Sequence, residues 1–526
     1  MPRRLPRPSS RLPISSQRPV IVVGAGIAGL VAAFELSCHG VPTLVLEGAD
    51  RPGGKMRRTE FDGQAFDAGP TVLTMRWVFD ELFAEAGLDF AAHVAMRPAA
   101  ILARHFWRAP DGGTQQLDLH ADPAHSAAAI ARFSSPAEGQ RFLAFCAEAR
   151  KTHDALLHSF MRAQRPSMPG LVGRIGRHRP SDLLAIRPFE TLWDALGRHF
   201  TDPRLRQLFG RYATYCGSSP FDAPATLMLV AHVEQEGVWL VDQGMFRIAE
   251  SLEELARRRG VAFRYGARAL RIETDAQGAC AVTLDGGERL AAGAVVACAD
   301  AAALAAGRLG PAGARAAQGA DRLARSLSAV TWLAAVPTRG QPLLRHNVFF
   351  SADYRAEFEA LFGRRELPAD PTIYVCAQDR GAGAADAAAS GPVTAPRRER
   401  LLCLINAPAD GDRAGGAGPD PAGDRASDER LHDALGRFGL QLDDGALCRT
   451  TPAQFEQLYP GNGGALYGGA SHGWRASFQR PGAASAVRGL FLAGGSVHPG
   501  PGVPMAALSG RLAARCVLDQ HCGTAT

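Results

Sequence analysis

The feature that most restricts this chain is the apolar run Val20-Ile21-Val22-Val23, which ends in glycines at 24, 26 and 29. A buried strand followed by IAGLVAAFELSCHG, whose apolar spacing predicts a helix closing on Gly40, and then by PTLVLEGAD reads as strand, helix, strand. In G-x-G-x-x-G at that junction, Gly24 permits the tight turn and Gly26 lets backbone N–H groups approach a pyrophosphate. Gly29 lets helix and strand pack closely, and the first helical amides, at Ile27 and Ala28, face the phosphates with the partial positive charge of the helix end. Glu47 closes the second strand 23 residues after Gly24. A carboxylate there accepts from a ribose 2′,3′-hydroxyl pair and repels a 2′-phosphate, so an NADP site is disfavoured. NAD and FAD both remain open at this step.

Composition removes other classes. With 526 residues, 46% of them apolar and 21% charged, the chain carries several domains' worth of core and is neither disordered nor collagenous. No stretch approaches the roughly 18 consecutive apolar residues of a spanning helix; the best short run, Ala225 to Val233, contains His232. The net charge of +6 is spread out and argues against a dedicated nucleic-acid surface. Ten cysteines without a C-x-x-C pair suggest neither a zinc cage nor a disulfide framework, and no metal site is expected. Residues 1–18, rich in Arg, Ser and Pro, are expected to be a disordered tail rather than a transit peptide, because prolines oppose the amphipathic helix such a peptide forms.

Residues 77–240 carry a mostly helical pattern, as in FDELFAEAGL and LWDALGRHF. Strand signals return in VAFRYGARALRIETD, ACAVTLDGGERL and GAVVACAD, with Asp285-Gly286-Gly287 as a hairpin turn. Arg380 to Pro396 and Ala407 to Ser427 are low in complexity and read as surface loops flanking the strand-like RLLCLINAP. The last segment, GLFLAGGSVHPGPGVPMAALSG, again runs strand, glycine loop, helix. If both ends hold one ligand, the nucleotide domain is discontinuous.

EGADRPGGKMRR followed by FDAGPTVL resembles the extended FAD motif of the flavin amine oxidase and carotenoid desaturase superfamily, and GLFLAGGSVHPGPGVPMAALSG resembles the closing motif of bacterial carotenoid desaturases. On that pattern Gly48, Arg51, Gly53, Gly54 and Lys55 would line the FAD phosphates, while Gly69, Pro70, Thr71 and Val72 pass close to the flavin. Gly494, Gly495 and Ser496 would contact FAD, with Val503, Pro504 and Met505 near its ring. The resemblance runs from about Val20 to about Cys516. Segments such as DAGPTVLTMRWVFDELF, RHFW and LFGRYATYCGSSPF are most similar to the branch of 1-hydroxycarotenoid 3,4-desaturases of phototrophic bacteria. It implies an α/β fold, a two-dinucleotide-binding-domain flavoprotein. The Rossmann-like FAD domain would be discontinuous (19–76, 236–310 and 470–526), and the inserted mixed α+β substrate domain, with a helical membrane-facing part, would hold 77–235 and 311–469.

The resemblance implies an FAD-dependent oxidoreductase that desaturates a C40 carotenoid bearing a 1-hydroxyl at C-3,4. A substrate this apolar has to be taken from a bilayer, which places the protein in the cytoplasm, peripheral to the inner or photosynthetic membrane. The electron acceptor, oxygen or a quinone, stays open. The stretch from Phe160 to Pro180, with Arg162, Arg165, Arg174, Arg177 and Arg179 interleaved with Met161, Leu171, Val172 and Ile175, is the candidate membrane contact. No residue stands out as the proton acceptor: His498 in the closing motif and His105 in RHFW are candidates by position only, while Arg211, Tyr212 and Tyr215 sit in a segment that could line a substrate tunnel. Rival readings are a phytoene-type desaturase, a carotene isomerase, an amine or porphyrinogen oxidase and, in another class, a non-catalytic prenyl-binding escort protein without flavin.

Overall fold

Alternate residues of the first strand enter two different cores, and this organises the nucleotide half of the molecule. In the computed structural model, which describes residues 18–164, 187, 189–381, 393–413, 421–443 and 445–521, Val20–Val23 is buried throughout. Val20 and Val22 pack with the helices Ile27–Cys38, Phe246–Arg258 and Val503–His521. Ile21 and Val23 pack on the opposite face with Val295 and Ala297 and with the antiparallel ribbon Ala269–Asp275, Gly278–Leu284 and Arg289–Ala291. Both faces being covered, the strand reads as an unbroken apolar run, as parallel sheets do.

That sheet has five parallel strands in the order Leu490–Leu492, Ala294–Ala297, Val20–Val23, Thr43–Leu46 and Ala262–Arg264. Three separate stretches of chain therefore meet in one sheet. The last helix lies against the first so closely that a Cβ on residue 510 would stand 2.2 Å from the Ala28 carbonyl oxygen, which makes Gly510 obligatory. Beside it Arg511 Nε donates to Glu35 at 3.0 Å, both side chains only 4% exposed, and Arg511 also reaches Glu85.

The second body is built on a large, mostly antiparallel sheet, ordered Leu440–Leu442, Ser328–Gly340, Val393–Ala407, Ile373–Ala377, His346–Phe349, Ile101–Arg108 and Thr114–His120, with Leu447–Thr450 also paired to Ser328–Gly340. The strands at 101–108 and 114–120 correct the helical reading of residues 77–240. Ile101–Arg108 is buried on both sides, so it shows no alternation by which to distinguish it from a buried helix. The low-complexity segments are also trimmed. The strand starts at Val393 and a helix starts at Pro421, within the stretches read as loops. The tail at 1–17 lies outside the described residues. The registers place Thr331, Leu404, Tyr374 and Val348 side by side across four neighbouring strands.

Removing one partner of a buried ion pair leaves a charge without compensation. Arg511→Met is expected to lower unfolding stability by about 3 kcal/mol, read from the urea midpoint, while the double change Glu35→Met with Arg511→Met recovers most of the loss. A single-variant cost below about 1 kcal/mol would show that the pair is not what ties the two helices.

Candidate functional site

The glycine loops converge at the C-terminal edge of the parallel sheet, the end at which open α/β sheets bind ligands. They wall one cavity of about 1720 Å³, larger than the roughly 300–1,000 Å³ of an ordinary ligand pocket. Its wall includes Gly24, Gly26, Ile27 and Ala28 from the first loop, Glu47, Gly48 and Arg51 after the second strand, and Gly53, Gly54 and Lys55 beyond them. Gly69, Pro70, Thr71 and Val72 follow, and Gly494, Gly495, Ser496, Val503, Pro504 and Met505 close it from the chain's far end. The fold thus gathers these expected site residues around one space. Gly29 stays off the wall: a Cβ there would stand 1.9 Å from the Gly24 carbonyl oxygen, so its work is packing.

Several details fit a dinucleotide. A Cβ on Gly26 would meet only Gly54 Cα, at 4.0 Å, and one on Gly495 only Pro501 Cα, at 3.6 Å. The protein's own packing does not require glycine at either position, whereas a phosphate lying against the backbone does. Glu47 is held by two backbone amides, Ala25 N–H donating to Oε2 at 2.7 Å and Ala49 N–H to Oε1 at 2.9 Å, which fixes the carboxylate at the strand tip. The first helix has no side-chain cap at Gly26. Lys55 is the buried cation of the site: its Nζ donates to the Leu466 and Ala465 carbonyls at 2.7 and 3.3 Å. Burial holds its pKa below the ordinary lysine value, against the pull of Asp300. Among the described residues it forms no ion pair, so an anion can still be accommodated. Arg51, by contrast, pairs with its neighbour Asp50 at 3.1 Å in an exposed position.

The two candidate histidines and the candidate tunnel segment separate. His105 is buried in the large sheet, 3.3 Å from the Leu117 carbonyl and stacked with Phe350, and it does not line the cavity. His498 is also off the wall; its Nε2–H donates to the Phe160 carbonyl at 3.0 Å, and burial pushes its pKa down to about 4. Both histidines are neutral structural groups in this arrangement. Arg211 and Tyr215 do line the cavity, while Tyr212 stands behind them. Sequence reading missed Glu234, which accepts from Tyr212 Oη at 2.6 Å and also from Tyr215. Its only local signal was an acid placed directly after the apolar run ending at Val233.

Arg162, from the stretch read as the candidate membrane contact, is paired with an acid from elsewhere: it donates to Glu81 at 2.7 Å and lies 4.4 Å from the Trp77 ring centre. Arg165, Leu171, Val172, Arg174, Ile175, Arg177 and Arg179 fall outside the described residues. His153, His232 and Glu236 bring ligand atoms within 4.8 Å of one another, a grouping between two helices that sequence spacing did not signal. Phe189, 77% exposed, stacks edge-on against Trp474 with ring centres 5.5 Å apart, and both line the cavity. An exposed phenylalanine backed by a half-buried tryptophan therefore lines this part of the cavity.

Residues 27–357 match the family of flavin containing amine oxidoreductases. The chain is 49% identical to the hydroxyneurosporene desaturase of Rubrivivax gelatinosus over 96% of its own length and 94% of that protein. It is 41% identical to the hydroxyneurosporene desaturase of Cereibacter sphaeroides, covering 95% of this chain and 97% of the other. Among solved structures, putrescine oxidase bound to putrescine superposes with a TM-score of 0.60 at 14% identity, over 95% of this chain and 99% of that one, a likeness of fold alone.

Gly26→Ser and Gly29→Ser separate ligand contact from packing. Serine is a favoured N-cap residue, so Gly26→Ser is expected to leave apoprotein melting near wild type while flavin per chain, read by absorbance, falls at least about tenfold. Gly29→Ser is expected to lower both. Full flavin occupancy in Gly26→Ser would exclude a phosphate from this loop.

Proposed function

This chain belongs to the flavin containing amine oxidoreductase family, and from that premise we propose that it is an FAD-dependent carotenoid desaturase that introduces the C-3,4 double bond into a 1-hydroxylated acyclic C40 carotenoid. The observation that carries the reading is continuity. One cavity joins the glycine loops that suit a dinucleotide to a largely apolar chamber walled by Val348, Leu402, Leu404, Leu227 and Val230, so an oxidising cofactor and a polyene share one space.

In this assignment Glu47 holds the adenosine ribose. The backbone of Gly24 to Ala28, with Lys55, Arg51 and Gly54, holds the phosphates, and Gly69 to Thr71 with Gly494, Gly495 and Val503 to Met505 surround the ring. When bound, FAD accepts the hydride from one of the two C–H bonds that break, the second hydrogen leaves as a proton, and a C=C bond forms. The chain's own part is positional. The N-terminus of Val503–His521, which lines the cavity, would offer its partial positive charge to the reduced ring. The apolar wall keeps water from the reacting bond. Substrate enters from a membrane surface past Phe189 and Trp474, which suit the boundary between water and lipid. Among the described residues, no helix is long and apolar enough to cross a membrane.

Purified protein is expected to be yellow with about one flavin per chain. Supplied with 1-hydroxyneurosporene in vesicles, it should lengthen the chromophore and shift the visible absorption to the red. Comparing aerobic with anaerobic quinone-supplied assays identifies the electron acceptor. Equal conversion of phytoene, or a colourless protein that still binds carotenoid, overturns the assignment. Phe189→Ser is expected to weaken co-sedimentation with anionic vesicles while leaving flavin content intact.

A further inference from the structure

An apolar chamber that accepts a carotenoid needs few polar groups, yet it carries a buried charge. Arg211 is 8% exposed and lines the cavity from the short helix Arg211–Cys216. A guanidinium taken from water without full hydrogen bonding is costly, on the order of several kcal/mol. Arg211 Nη1 donates to Tyr215 Oη at 3.2 Å, and Nε is buried with no partner among the described residues. Tyr215 in turn donates to Glu234, which is 5% exposed and also takes the Tyr212 hydroxyl at 2.6 Å. The carboxylate therefore does not touch the guanidinium; the phenol stands between them. Burial raises both tyrosine pKa values, so the phenols stay protonated and continue to donate to Glu234. The cluster fixes Arg211 in place but leaves part of its donor capacity unspent in a dry wall.

The cluster is tied towards the cofactor loops through Tyr374, with which Tyr215 interacts electrostatically. Tyr374, another cavity-lining phenol, is 2.7 Å from Thr71 Oγ1, next to Gly69 and Pro70. The helix bearing Arg211 runs directly into Gly217, where a Cβ would stand 2.5 Å from the Tyr467 ring. Tyr467 follows Leu466, whose carbonyl accepts from Lys55. On the desaturation reading above, on which this inference rests, the substrate hydroxyl is carried on C-1 and the oxidised bond begins at C-3, with one carbon between. A group that reads this hydroxyl has to lie beside the reacting end, not at the far end of the polyene.

We propose that Arg211, positioned by Tyr215 and Glu234, donates a hydrogen bond to the tertiary hydroxyl of the carotenoid and is the residue that distinguishes hydroxylated from unhydroxylated polyene. A site built around an unsatisfied charged donor rejects the analogue that lacks the oxygen, because the donor is then left bare. Tyr215 and Glu234 are positioning residues for it.

The test compares 1-hydroxyneurosporene with neurosporene on flavin-loaded wild type, Arg211→Met, Arg211→Lys and Tyr215→Phe. It reads kcat/KM for each substrate, and the affinity for each from quenching of tryptophan fluorescence. In Arg211→Met the preference for the hydroxylated substrate, in both readouts, is expected to fall about 10- to 100-fold, the worth of a charged hydrogen bond. Arg211→Lys should keep part of it. Tyr215→Phe, which removes no charge, should reduce the preference several-fold and decides the matter if Arg211→Met does not hold flavin. A preference that survives in Arg211→Met or Tyr215→Phe, or an equal loss on both substrates, overturns the proposal. If wild type oxidises both carotenoids equally, the hydroxyl-reading role falls while the desaturase remains. If it oxidises neither, the desaturase reading itself has failed and the proposal fails with it.

Discussion

The arrangement depends on the contact between the last helix and the first. Gly510 lets Val503–His521 come down onto the Ala28 carbonyl, and Arg511 joins Glu35 inside that contact. Because the first helix begins at the glycine loop and the last begins at the Gly494 to Gly502 loop, seating one helix on the other brings both loops to the same edge of the sheet. Neither loop encloses a ligand alone. The middle of the chain completes the sheet with Ala262–Arg264 and Ala294–Ala297, so the site exists only when three distant stretches have paired.

The cavity joins two chemical environments. At the sheet edge, backbone amides, Glu47 and the buried Lys55 suit a charged nucleotide. Beyond them the row Thr331, Leu404, Tyr374 and Val348 on the large sheet, faced by Leu227 and Val230, suits an apolar chain. Some polar groups on or behind that second wall are engaged: Thr71 with Tyr374, Tyr374 with His346 at 2.8 Å, and Tyr215 with Glu234. Burial brings the pKa of His346 down to about 3, so it stays neutral. Arg211, a buried charge on that wall, is the group on which substrate selection would turn, since a greasy wall discriminates weakly between molecules that differ by one hydroxyl.

The local motifs were legible because each encodes its own geometry. Val20 to Val23, the glycine spacing and Glu47 specify a strand, a phosphate turn and an acid at the next strand tip whatever the rest of the chain does. The closing segment specifies a second such loop. Those elements pointed to the fold class, the cofactor family and residues of the glycine loops that line the cavity. The strand Ile101–Arg108 was missed because burial on both faces erases the period that marks a strand. The acid that pairs with Arg162, Glu81, lies about eighty positions away, beyond the reach of any local pattern.

By itself, then, the sequence determined the nucleotide-binding elements and the flavin desaturase family, since these rest on short-range spacing and backbone conformation. Only the tertiary structure decided that both glycine loops wall one cavity, that His105 and His498 lie behind it, and that Glu234 holds Tyr212 and Tyr215 around Arg211. Those relations join side chains from separate elements, and their distances are set by how helices and sheets pack, which no local pattern of residues encodes.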